Sequence, residues 1–113
     1  GGFGYFGTRN LIFKNGDLRL NFLAPNGRIW VQASHGQVTG PDTSGPYPGF
    51  SFDDSEPLWG DELDAPVRWK NGKNLAELVG SGVRLEFKLV QAQIYAVHAD
   101  FNIHYGDPII SRI

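Results

Sequence analysis

The sharpest chemistry in this chain is His98 and Asp100, separated by one residue in a run of strict alternation. Side chains two apart on a strand share a face. An imidazole and a carboxylate placed so could chelate one ion, as in the two-histidine, one-carboxylate iron sites of jelly-roll enzymes. Such a site needs a third ligand. His104 has the right parity but lies roughly 20 Å further along an extended strand, which leaves His35 as the other histidine. The plainer reading of the pair is a solvated polar face. Asp53, Asp54 and Asp61 form a second candidate, in an acidic stretch with Asp42, Glu56, Glu62 and Asp64. Their hard oxygens suit calcium, although their spacing follows no EF-hand loop. Asp61, directly after Gly60, could equally fix its own turn by accepting backbone N–H bonds. The expectation is no transition metal and no cofactor, with structural calcium as the one candidate.

So many acids also raise glycoside hydrolysis, which needs two carboxylates at a set separation. In one crowded loop a chance pair is easy. There is no G-x-S-x-G, no phosphate loop and no H-E-x-x-H. Cysteine is absent, which removes disulfides, thiolate zinc sites and cysteine nucleophiles together. Ten Lys and Arg are scattered against twelve Asp and Glu, for a net charge of -2. Nucleic-acid binding, which calls for a basic stripe, is not expected. Nor is a membrane span, since no apolar run approaches the roughly 18 residues a bilayer crossing takes.

Aromatic residues are the remaining resource. Phe22, Phe87, Tyr95 and Phe101 fall on apolar faces and read as core, while Trp69 is ambiguous. Trp30 differs, because its parity sets it opposite Ile29 and Val31 and beside Arg19, Asn21 and Gln32. An outward indole flanked by amide and guanidinium groups suits a sugar: an apolar ring for the C–H face and hydrogen bonds for the hydroxyls. Tyr47 and Trp59, in irregular sequence, are further candidates. The alternative is that a loop, a neighbouring domain or an oligomeric partner covers the ring.

The elements that must position these residues are strands. Leu18, Leu20 and Phe22 alternate with Arg19 and Asn21, and Ile29, Val31 and Ala33 with Trp30, Gln32 and Ser34. With Ala24-Pro25-Asn26-Gly27 between them, these runs predict a hairpin. Val83 to Leu89 and Tyr95 to Tyr105 alternate likewise, with Gln91 and Ala92 leaving room for a second reversal. Thr8 to Phe13 reads as a first strand, ended by the turn dipeptide Asn15-Gly16. From Gly36 to Pro66 the pattern dissolves into a long excursion, with a short strand near 48–52. A strand at Val67–Lys70, a turn at Asn71-Gly72 and one helical turn at Leu75–Val79 complete the chain. Such a set predicts an all-β, two-sheet antiparallel sandwich or jelly roll. Residues 1–113 parse as one domain, and the start at GGFGYF without Met reads as trimmed or excised from a longer protein.

The order LRLNF at 18–22, NGRIWVQ at 26–32 and PYPGFSF through LVQAQIYAV at 46–97 resembles a bacterial module. It is similar to the concanavalin A-like jelly-roll β-sandwich at the C-terminal end of glycoside hydrolase-related proteins. The elements that carry the resemblance are Asn21, Gly27, Gly49-Phe50, Gly60-Asp61, Val67 with Trp69-Lys70, Leu75 and Leu78, Val83 to Leu89, and Ala92 with Tyr95. Trp30 and Val97 depart from its pattern. The resemblance implies a secreted or periplasmic accessory module without catalysis, which binds carbohydrate or braces an adjacent catalytic domain. Two other readings stand beside it: a stand-alone sandwich that oligomerises through exposed aromatics, and a small metal-dependent jelly-roll enzyme using His98 and Asp100.

Overall fold

The computed structural model describes residues 3–8, 10–36 and 45–103. The fold is all-β, and among the described residues five strands belong to one sheet. They are β1 (Phe3–Gly7), β2 (Leu11–His35), β3 (Leu58–Pro66), β4 (Gly82–Val90) and β5 (Gln93–Ile103). The strand order is β1-β4-β2-β3, with β5 also paired to β2. The β1–β4, β2–β3 and β2–β5 pairs are antiparallel.

The organising element is β2. At about 3.3 Å per residue, its 25 residues would stretch to roughly twice the molecule's longest extent of 39 Å. It therefore bends, and the register shows where. Pairing with β5 shifts between Phe13 and Leu18, and pairing with β3 shifts between Ala24 and Ile29. These breaks coincide with Asn15-Gly16 and Pro25-Asn26-Gly27. The turn sequences thus act as bulges within one strand, where extra residues bend it without reversing it. One half of β2 pairs with β5, from Leu11 opposite Ile103 to Leu23 opposite Gln93. The other half pairs with β4, from Arg28 opposite Val90 to His35 opposite Val83.

Two expectations fall on this point. The runs at 17–23 and 28–35 are not partners in a hairpin, and neither are β4 and β5. Each pair of runs meets β2 or continues it. Gly27 permits the bend, because a Cβ there would lie 1.9 Å from the Val90 carbonyl oxygen.

The two-sheet sandwich is likewise overturned, and with it the likeness to a concanavalin-like jelly roll. A single open sheet can bury one face only if something other than a second sheet covers it. Here the cover is irregular chain. Phe50, Val67, Trp69, Leu75 and Leu78 come from outside the strands and pack in one cluster with Leu11, Phe13, Leu20, Phe22, Val31, Leu85 and Phe87. Trp69 is fully buried, stands edge-on to Phe50, and donates its indole N–H to the Val31 carbonyl at 2.9 Å. Instead of a strand, Val67–Lys70 makes single contacts, with Val67 bonded to Leu18 and Trp69 bridged to Ser55 and Lys73. Residues 48–52 form a turn leading into a 3-10 turn at Phe52–Asp54. The expected helical turn is present as a 3-10 turn at Leu75–Leu78, capped by Asn74. Asn71 and Gly72 take the positive φ of a tight turn, 67° and 72°.

Of the aromatic residues expected in the core, Phe22 and Phe87 are fully buried, as are Leu20, Val31 and Leu85 on the alternating strands, while Val97 and Phe101 pack at its margin. Tyr95 is a correction. A register shift between Asn21 and Phe22 in the β2–β5 ladder inverts parity, so Ile94 packs inward and Tyr95 is exposed. Among the described residues no helix is long and apolar enough to cross a membrane.

Candidate functional site

The face of the sheet opposite the core collects the chemistry. On β4, Val83, Leu85, Phe87 and Leu89 are buried in the core, so Arg84, Glu86, Lys88 and Val90 take the other side. Cross-strand register then sets their neighbours. Phe3, Val90 and Arg28 form one row, Tyr5, Lys88 and Trp30 the next, and Gly7, Glu86 and Gln32 a third. Trp59 on β3 extends the first row, with the Arg28 guanidinium 5.5 Å from its ring centre. Three strand spacings of about 4.8 Å make this face roughly 15 Å wide.

Aromatic rings and cations alternate across it. The Lys88 ammonium lies 4.9 Å from the Trp30 ring centre and 5.0 Å from that of Phe52, within the range of cation–π attraction. Phe52 arrives from the 3-10 turn, which the paired Ser51 and Asp54 caps hold in place. Its backbone N–H donates to Gln32 Oε1 at 3.0 Å, and its ring stands edge-on to Tyr5. Phe3, Tyr5 and Trp59 remain exposed at 70%, 54% and 61%, while Trp30 is half-buried.

At the centre lies Glu86, a carboxylate only 8% exposed. Burial by itself pushes its pKa up. Hydrogen bonds from Ser34, Tyr5 and Gln32, with Arg84 at 3.6 Å, outweigh that and hold it below its ordinary value. The Tyr5 hydroxyl is pushed the other way, first by donating to Glu86, then by burial and the carboxylate charge. The network fixes a side chain from each of β1, β2 and β4, a buried charge with its polar partners satisfied.

The sequence-based candidates disperse around this face. Trp30 and Trp59 reach it. Asn21 pairs with Ala96 and Arg19 with His98 in the other half of β2. Arg19 is also tied to Asp17 at 2.9 Å and Asp64 at 3.6 Å. Tyr47 is a structural tie, stacked on His35 with its hydroxyl donating to the Gly82 carbonyl at 2.8 Å. Asp54 is occupied with Ser51, Asp53 is exposed beside it, and Asp61 stands on β3 opposite Leu23. The three are thus not drawn into one calcium site. Asp100 meets Lys14 and Asn15, and His98 is exposed. Among the described residues no three His, Asp or Glu side chains gather to hold a metal ion. His104 and Asp42 lie outside the described residues.

The residues that sequence reasoning missed are Phe3, Tyr5, Arg28, Phe52, Glu86 and Lys88. Alternation assigns Glu86 and Lys88 to the outer face but cannot show that Phe52 and Tyr5 converge over them. Compared with known protein families, curated proteins and solved structures, the chain matches none.

Proposed function

We propose that this domain is a non-catalytic binding module whose outer sheet face takes an extended carbohydrate. The observation that carries the reading is the set of rows on that face. Trp59, Trp30, Tyr5 and Phe3 offer apolar rings spread over roughly 15 Å, interleaved with the donors of Arg28 and Lys88. Rings accept the C–H faces of pyranoses, and fixed polar groups between them accept or donate to hydroxyls. Because the face is open and shallow, it would bury little of a ligand, so affinity for a short oligosaccharide is modest and grows with chain length. On this reading the module works in the periplasm or outside the cell, where it would hold substrate for a catalytic partner.

Titration with oligosaccharides of increasing length, followed by calorimetry, tests this. Binding that strengthens with length and is lost in both Trp30→Ala and Trp59→Ala is the expected result. The exposed Phe3, Trp59 and Leu63 favour a second reading, a contact face for another protein or another copy of this chain. A mass in solution above 12.5 kDa that returns to the monomer value in Trp59→Ala, with no response to any saccharide, replaces the first reading by the second.

A further inference from the structure

Resting on the carbohydrate reading, we infer that the ligand is an acidic glycan, and that Arg28 and Lys88 select its anionic groups. Among the described residues the ion pairs join Lys14 to Asp100, Arg19 to Asp17 and Asp64, Lys73 to Glu77, and Arg84 to Glu86. Arg28 and Lys88 have no carboxylate partner there. Arg28 spends one donor on the Gly27 carbonyl at 2.7 Å and rests against Trp59. Lys88 rests between Trp30 and Phe52. Contact with ring faces holds both cations in place while leaving N–H donors open.

The two are diagonal neighbours across the β2–β4 ladder, Arg28 opposite Val90 and Lys88 opposite Trp30, which sets their backbones roughly 7–8 Å apart. Among the described residues the one carboxylate buried in this face, Glu86, is already satisfied by Arg84, Ser34, Tyr5 and Gln32. Asp61, two residues along β3 from Trp59, marks the end where negative charge resumes. The face therefore presents a pair of uncompensated positive charges framed by aromatic rings, on a chain whose net charge is -2. A neutral sugar would use the rings and leave the charges idle. A sugar bearing carboxylate or sulfate uses both, through charge-assisted hydrogen bonds.

The test compares a neutral oligosaccharide, an oligouronate and a sulfated oligosaccharide of equal length, with single-stranded oligothymidine as a fourth ligand. Wild type, Arg28→Gln and Lys88→Gln are measured at two salt concentrations. An anionic glycan should bind about tenfold more tightly than the neutral one, with the gap narrowing in both variants and at high salt. Whichever anionic glycan shows the larger gap identifies the group as carboxylate or sulfate. Equal affinities for neutral and anionic chains overturn the inference and leave the carbohydrate reading standing. No response to any saccharide defeats both, and tighter binding of oligothymidine replaces the acidic glycan with nucleic acid. The salt series on wild type decides the matter even where a variant fails to fold, since binding indifferent to salt contradicts charge selection.

Discussion

Glu86 shows how a single residue can hold a surface together. Its carboxylate accepts from Tyr5 on β1 and from Ser34 and Gln32 on β2 while sitting on β4, so the alignment of three strands converges on one side chain. Glu86→Gln keeps the shape but puts an amide N–H where these donors point, and should cost about 1–3 kcal/mol at neutral pH. The pH dependence follows from its lowered pKa. A carboxyl titrating lower in the folded state than in the unfolded one contributes stability that is fully present above its ordinary value of 4.5 and is lost as pH falls through the lowered one. Urea unfolding at a series of acidic pH values should therefore fall more steeply for wild type than for Glu86→Gln. Parallel curves would contradict this role for the network. The sequence offers Glu86 only as one charge in an alternating strand. Its partners Tyr5, Gln32 and Ser34 are distant in the chain and brought to it by the fold.

At the level of elements, the strands at 82–90 and 93–103 were legible because both alternate, although the register shift in β5 turned Tyr95 outward against its parity. The connections were not. Asn15-Gly16 and Pro25-Asn26-Gly27 carry turn chemistry, yet β2 passes through both as bends, because β5 pairs with it on both sides of the first, and β3 on both sides of the second. Local preference for a turn yields to pairing that only the complete chain makes available. β3 was hidden for a different reason. As an edge strand it buries only Ala65, so it shows no apolar alternation. Gly27 is where this account of β2 is most exposed to test. Its absent Cβ would meet the backbone of Val90 and Gln91 at 1.9–2.8 Å, atoms that cannot yield like the end of a flexible side chain. Gly27→Ala should destabilise the domain by about 1–3 kcal/mol or more, measured by chemical denaturation. The neighbouring exposed Asn26→Ala should cost no more than about 0.5 kcal/mol. Equal, small costs for both would mean that β2 does not bend against the β4–β5 connection.

For the whole molecule, an all-β chain follows from alternation, but a two-sheet sandwich does not. The inference of a second sheet assumed that strands cover strands, whereas Phe50, Trp69, Leu75 and Leu78 cover this core from loops and 3-10 turns. The candidate face was half legible. Parity placed Trp30 outward, while its supposed companions Arg19 and Asn21 belonged to a hairpin that does not form, and Tyr5, Lys88 and Phe52 took their place. The three tryptophans give a direct test of the outer face as a glycan platform, because each indole N–H gives its own proton–nitrogen resonance. Trp30 and Trp59 lie on that face, whereas Trp69 is buried with its N–H bonded to the Val31 carbonyl. Titrating the labelled protein with an acidic and a neutral oligosaccharide should shift the Trp30 and Trp59 resonances progressively and leave Trp69 in place. Three unmoved indoles with every saccharide, or a shift confined to Trp69, would contradict the account.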